Sequence, residues 1–166
     1  MKFTVVRSVK HPERAHNNDA GIDFFIPEIN DKFLEDLTKK NTHTFIDNYY
    51  ITTNSIILKG NSDILIPSGV CCILPEDSVL IAFNKSGVAT QKKLTVGAEV
   101  VDEGYRGEIH IHFFNQSNSD VELKENSKIV QFLLFPIRYE ELNYIDKNEF
   151  DTSTERGSNG FGSSGK

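Results

Sequence analysis

Three segments of this chain carry residue types that could handle a phosphorylated ligand. The first is Val100-Val-Asp-Glu-Gly-Tyr-Arg-Gly-Glu108. Its two glycines suit a hairpin-like turn. Asp102 follows two apolar residues at a strand end, where a firmly held carboxylate can act as general base for a water. The second is Asn84-Lys-Ser-Gly-Val-Ala-Thr-Gln-Lys-Lys93. Ser86 is a natural N-cap for a short helix carrying Val88 and Ala89, and a helix start with Lys85 beside it suits an anion. The third is Glu155-Arg-Gly-Ser-Asn-Gly-Phe-Gly-Ser-Ser-Gly-Lys166. Its backbone N–H groups can cradle phosphate oxygens, Arg156 can clamp them, and Phe161 can stack on a base. The spacing of Gly160, Gly162 and Gly165 matches a dinucleotide fingerprint, but no helix-forming run follows, and Ser163 stands where a P-loop needs Lys. Taken singly, each segment also reads as an ordinary solvated turn, helix start or Gly/Ser tail.

The remaining reactive side chains are less promising. His110 and His112 stand two apart on one strand with no third ligand nearby, so they read as interface or surface side chains rather than a metal site. Cys71 and Cys72 are adjacent. Their Cα atoms must lie about 3.8 Å apart, below the disulfide range of about 4.4–6.8 Å. They read as free buried thiols, which suits a reducing cytosol.

Short β-type runs dominate the scaffold that must position these groups. Lys2–Arg7, Ser55–Leu58, Asp63–Ile66, Gly69–Leu74, Ser78–Phe83, Leu94–Val101, Glu108–Asn115, Val121–Leu123 and Lys128–Ile137 are rich in Val, Ile and Phe and separated by turn residues. Such spacing predicts an all-β, antiparallel sandwich or barrel. Glu108–Asn115 alternates, with Ile109, Ile111 and Phe113 on the inner face and His110, His112 and Phe114 on the other. One helix is predicted over Asp31–Lys40, capped by Asn30 or Asp31, with Phe33, Leu34 and Leu37 on one face. The last sixteen residues hold six Ser or Thr and four Gly, too little apolar surface to fold alone. A domain over 1–150 with a flexible arm over 151–166 is therefore expected.

Composition sets limits. At 166 residues the chain fits one domain with a core of its own. The 24 acidic residues outnumber 18 basic ones, for a net charge of −6. That argues against non-specific nucleic-acid or anionic-membrane binding, so an anion site must be built locally against the global charge. No run approaches the ~20 apolar residues of a membrane span, and residues 1–7 carry no signal-peptide core, so a cytoplasmic protein is expected.

Read together and in order, these segments resemble the trimeric dUTP pyrophosphatase (dUTPase) family. Five stretches carry the resemblance: Ala20-Gly-Ile-Asp23, Asn84-Lys-Ser-Gly-Val-Ala89, Val96-Gly-Ala-Glu-Val-Val-Asp-Glu-Gly-Tyr-Arg-Gly107, Asn126-Ser-Lys-Ile-Val-Gln131 and Arg156-Gly-Ser-Asn-Gly-Phe-Gly-Ser-Ser-Gly165. Ile66-Pro-Ser-Gly69 is similar to a further family turn. The resemblance implies a distorted jelly-roll β-barrel that forms homotrimers, with three active sites shared between subunits. It implies hydrolysis of dUTP to dUMP and pyrophosphate, with Mg²⁺ held by the triphosphate and waters rather than by side chains.

Roles carry over onto matching positions. Asp102 would activate the water that attacks the α-phosphorus. Tyr105 would lie under the deoxyribose, and the backbone of Gly97, Ala98, Val100 and Val101 would read uracil. Ser86, Gly87 and Gln131 would hold phosphate oxygens with Lys85 nearby. Arg156 would clamp the γ-phosphate, Phe161 would stack on uracil, and Gly162, Ser163 and Ser164 would close over the chain. Asp23 would support the site from a buried position.

Several positions depart from the family pattern. Lys85 replaces an Arg and loses a bidentate fork. Glu99 replaces a Gly, which would reshape the hairpin if φ there were positive. Asn126 replaces a Gly but tolerates the left-handed region. The stretch from Asp23 to Pro67 is long, which places an insertion at about 28–54, expected as a surface elaboration near the barrel rim and a possible docking point for a protein partner. Two alternatives remain at this level. One is a dCTP deaminase or bifunctional enzyme of the same fold, although His112 stands where that family keeps a catalytic Glu. The other is a nucleotide-gated regulatory binding protein.

Overall fold

A computed structural model describes residues 1–42 and 48–159. Twelve strands and two helices run in the order β1 (Lys2–Val5), β2 (Ile22–Phe25), α1 (Asp31–Lys40), β3 (Tyr49–Ile51), β4 (Ser55–Leu58), β5 (Asp63–Pro67), β6 (Val70–Ile73), β7 (Ser78–Asn84), α2 (Ser86–Lys92), β8 (Leu94–Gly97), β9 (Val100–Val101), β10 (His110–Asn115), β11 (Val121–Lys124) and β12 (Lys128–Pro136). A single 3₁₀ turn follows at Lys147–Glu149.

The strands form four small antiparallel sheets, β1-β6, β5-β10-β8, β11-β4-β3 and β2-β12-β7-β9. They wrap one core, in a jelly-roll-like all-β arrangement. Phe24, Phe113, Phe132, Ile64, Ile66 and Leu80 are fully buried or nearly so, and the Phe24 and Phe132 rings pack 4.4 Å apart. On β10 the alternation holds: Ile111 and Phe113 face the core while His110, His112 and Phe114 do not.

Helix α1 has the predicted bounds. Asn30 caps it, its side chain accepting from the Phe33 N–H at 3.0 Å. The segment around it is no surface elaboration. Phe33 and Leu37 are 0% exposed and belong to the main core. Asn41, beyond the helix, donates to Leu37 O and Leu65 O and accepts from Leu65 N, which ties the helix end to β5. Such burial of two large side chains stabilises by roughly 3–6 kcal/mol.

Other expectations are corrected. Ile22–Phe25 and Tyr49–Ile51 are strands that no run above anticipated. Ile22–Phe25 is buried on both faces, so its residues do not alternate. Leu94–Val101 is not continuous, because Ala98 takes a left-handed φ of 48° and splits it into β8 and β9. Cys72 is buried, but Cys71 is only partly so. The surroundings push the Cys72 thiol up to about 11 through burial. No described helix is long and apolar enough to cross a membrane.

Candidate active site

Of the predicted residues, all those outside the arm except Gly97 line one of two clefts that share no lining residue. The first is the hairpin cleft, a hollow of about 180 Å³ lined by Ala98, Val100, Val101, Asp102, Tyr105, Ile109 and His110. It is made almost entirely from one stretch of chain. Strand β9 is pinned to β7, with Val101 opposite Leu80 and Val100 opposite Ile81. Beyond it the chain turns: Tyr105 N–H donates to Asp102 O at 3.0 Å, with Glu103 and Gly104 at the corner. Tyr105 hydroxyl donates to Glu108 O at 2.8 Å, which lays the ring across the hairpin.

Asp102 is exposed rather than firmly enclosed. That leaves its carboxyl group accessible to a water. Its neighbour Glu103 does the bracing, accepting from Asp77 N–H at 2.9 Å and from Tyr139 hydroxyl at 3.0 Å. The left-handed residue of this region is Ala98, not Glu99. Glu99 instead uses its carbonyl to accept from Ala82 N–H at 2.8 Å, so a side chain is tolerated there without strain. Gly97 closes β8 opposite His112. Burial, the largest influence, holds the His110 imidazole below its ordinary pKa. His112 is turned onto Asp63, Nε2 to carboxylate oxygen 3.0 Å, and does not line the cleft.

The second cleft joins hollows of about 350 and 250 Å³ through Lys85 and Gln131. Three distant parts of the chain build it: Ala20, Gly21 and Asp23 at β2, Asn84 to Lys92 across the β7–α2 junction, and Gln131 on β12. The sheet register explains the convergence, since Gln131 lies between Asp23 on one side and Phe83 on the other. Gly21 leaves room for the Gln131 amide: a Cβ there would fall 2.2 Å from Gln131 Oε1 and push that side chain aside. Gln131 Nε2 donates to Asn84 O at 2.9 Å.

The N-cap of α2 is Lys85, not Ser86, and no side chain caps it. Ser86 and Gly87 are exposed at the helix start, on the wall of the cleft. Asp23 is 4% exposed and sits between two ammonium groups. Lys85 Nζ bonds its Oδ1, and Lys128 Nζ lies 3.0 Å from its Oδ2. Lys128 reaches it because a bulge between Lys128 and Val130 shifts the β12 register. Hydrogen bonding to Asp23, the largest influence, holds the Lys128 ammonium above its ordinary range. Lys128 was not singled out from sequence; its signal was a cation in the same strand, three residues before Gln131. Asn126 takes the left-handed φ of 60° expected of it.

The described part of the arm, residues 151–159, lines neither cleft. Arg156 is exposed, and its Nε donates to Asn159 O at 3.0 Å within a local turn. Phe161, Gly162, Ser163 and Ser164 lie outside the described residues. Among the described residues no three His, Cys, Asp or Glu side chains cluster to hold a bare metal ion.

Comparison with known proteins agrees with this architecture. The family model described as dUTPase matches residues 49–165. A deoxyuridine 5'-triphosphate nucleotidohydrolase of Candida albicans is 37% identical over 61% of this chain and 64% of its own length. One from Clostridium tetani is 30% identical over 95% of this chain and 90% of its own. The solved Staphylococcus bacteriophage 80alpha dUTPase with dUPNHPP superposes with a TM-score of 0.74 at 22% identity, over 99% of this chain and 97% of that one, a likeness of fold. The chain thus belongs to the dUTPase family.

Proposed function

We propose that the chain hydrolyses dUTP to dUMP and pyrophosphate, in homotrimers whose three active sites each join the hairpin cleft of one copy to the phosphate cleft of another. The observation that carries this reading is the division of the site: two clefts of complementary chemistry, on one chain, with no lining residue in common. Residues 1–150 would form the catalytic body, and 151–166 the arm that covers the bound nucleotide.

In the hairpin cleft the backbone of Gly97, Ala98, Val100 and Val101 reads the uracil edge. Tyr105 packs against the deoxyribose and leaves no room for a 2′-hydroxyl. Asp102 takes a proton from the water as that water attacks the α-phosphorus, a role worth about 10²–10⁴-fold. In the phosphate cleft Ser86 hydroxyl, the Gly87 backbone and the Gln131 amide hold phosphate oxygens. Lys85 is shared between the substrate and Asp23, and Lys128 keeps Asp23 compensated when Lys85 turns to a phosphate. Arg156, Phe161, Gly162, Ser163 and Ser164 then clamp the γ-phosphate, stack on uracil and exclude water. The chemistry is positioning plus electrostatics.

Mg²⁺ enters with the substrate, on the triphosphate and its waters. The donor set fits that reading, since both oxygens of buried Asp23 are already taken by lysines. Bound there, the ion would offset phosphate charge. A cytoplasmic setting, or the host cytoplasm or nucleus for a viral protein, suits such a substrate. The exposed residues of the 28–54 segment, outside the core contacts of Phe33 and Leu37, would offer a surface to a protein partner.

The test is product analysis with dUTP, dCTP, dTTP and UTP in parallel with Mg²⁺, resolved by anion exchange with pyrophosphate detection. Conversion of dUTP alone to its monophosphate supports the reading. Deamination of dCTP, or no turnover of any nucleotide, overturns it.

A further inference from the structure

Below the hairpin lies an ion pair that no step above uses. Arg7, just past β1, meets Glu108 in a two-pronged contact: Nε donates to Oε1 at 2.7 Å and Nη2 to Oε2 at 2.6 Å. The two side chains are 7% and 16% exposed. Glu108 Oε1 also accepts from Gly69 N–H at 2.6 Å, and Arg7 Nη2 donates to Asp36 of α1 at 3.0 Å. Gly69 makes room for this: it has a φ of 78°, and a Cβ there would lie 2.7 Å from the Arg7 stem. The chain after β1 and the β5–β6 turn therefore converge on the Glu108 carboxylate, and α1 holds the arginine from its other side through Asp36.

That carboxylate belongs to the residue whose carbonyl receives the Tyr105 hydroxyl at 2.8 Å. His110 Nδ1 lies 2.8 Å from the same oxygen. Both are cleft-lining residues. Fixing the Glu108 side chain at two oxygens fixes its peptide, and with it the docking point of Tyr105. Buried pairs of this kind add little stability over apolar packing but impose one geometry.

We propose that Arg7 is a positioning residue for sugar recognition: through Glu108 it fixes the carbonyl on which Tyr105 docks and so sets the discrimination between deoxyribose and ribose. The sugar half of this rests on the role given to Tyr105 under the proposed function. The positioning half does not.

The test uses the full chain and two variants, Arg7→Met and the double variant Arg7→Met/Glu108→Gln. The double variant removes both charges of the pair, so it stays folded if the single one does not. Hydrogen exchange of the nucleotide-free protein reads the hairpin directly. Exchange at the Tyr105 amide should quicken about tenfold in the variants while amides of β12 stay unchanged. The ratio of kcat/KM for dUTP over UTP should fall about tenfold, and Tyr105→Phe should give a similar fall that Arg7→Met does not deepen. A folded double variant with unchanged hairpin exchange and an unchanged ratio overturns the proposal. If the wild-type chain turns over neither nucleotide, the proposed function fails, and the exchange result still decides whether Arg7 holds the hairpin.

Discussion

The hairpin cleft and the phosphate cleft are built by opposite strategies. The hairpin cleft comes from one stretch, residues 98–110, and shapes itself with backbone: a left-handed Ala98, a turn at Asp102–Tyr105 and a tyrosine folded back on a carbonyl. The phosphate cleft comes from three stretches spread over more than a hundred residues of chain, aligned by the β2-β12-β7 register, and is organised by charge around buried Asp23. Selecting a base and a sugar needs shape, which a single loop can hold. Gripping a polyanion needs cations with balanced surroundings, which requires several elements.

The sharpest way to break this comparison is to disable each cleft in turn. Asp102→Asn should lower kcat by about 10²–10⁴-fold with little change in nucleotide affinity by calorimetry. A large loss of affinity instead would place Asp102 in binding. Truncation after Thr154 should leave the body folded and assembled, at about three times 18.8 kDa by light scattering, and cost about 100-fold in kcat/KM. Full activity would remove the arm from the site. Lys85→Met should act mainly through KM, raising it about tenfold, the loss of one charge-assisted contact. Equal mixing of refolded Asp102→Asn and Lys85→Met chains should then restore about one quarter of the native sites, if each site draws its two clefts from different copies. Mixing that rescues nothing would put both clefts of a working site on one chain.

The smallest effect expected is on pH. The folded chain holds His110 below its ordinary pKa, chiefly by burial. The unfolded chain binds that proton more readily, so stability rises with pH through this range and falls as pH drops below about 6.5. His110→Asn should flatten that slope in thermal melts from pH 7.5 to 5.5. A slope unchanged by the substitution would assign it to another group.

The same contrast governs how much could be read in the residues alone. The hairpin was legible because its chemistry and its geometry lie in one run, Val96–Glu108. Even there the left-handed position is Ala98, one residue before the Glu99 at which a positive φ was weighed, since a left-handed alanine carries no compositional signal. The members of the phosphate cleft were visible as separate motifs, but their mutual arrangement was not. The pairing of Lys85 and Lys128 with Asp23 depends on strand register and on a bulge, which are non-local facts. Strand β2 escaped notice because a strand buried on both faces has no period of two. Helix α1 had clear bounds from its cap and face, yet its contribution to the core follows from Asn41 docking on β5, which no periodicity contains.

The pair of lysines around Asp23 has a consequence for how substrate arrives. With Asp23 between them and Glu13 Oε1 3.3 Å from Lys128 Nζ, they leave a small, partly compensated cationic spot on a molecule whose net charge is −6. Beyond a Debye length of about 8 Å at physiological ionic strength the two fields are screened, and inside it the spot prevails. Added salt therefore acts in two directions: it relieves the long-range repulsion of an incoming triphosphate, and it weakens the short-range hold once the nucleotide is seated. The capture rate should hold steady or rise with ionic strength while residence time shortens, the reverse of a protein that steers anions with its whole surface.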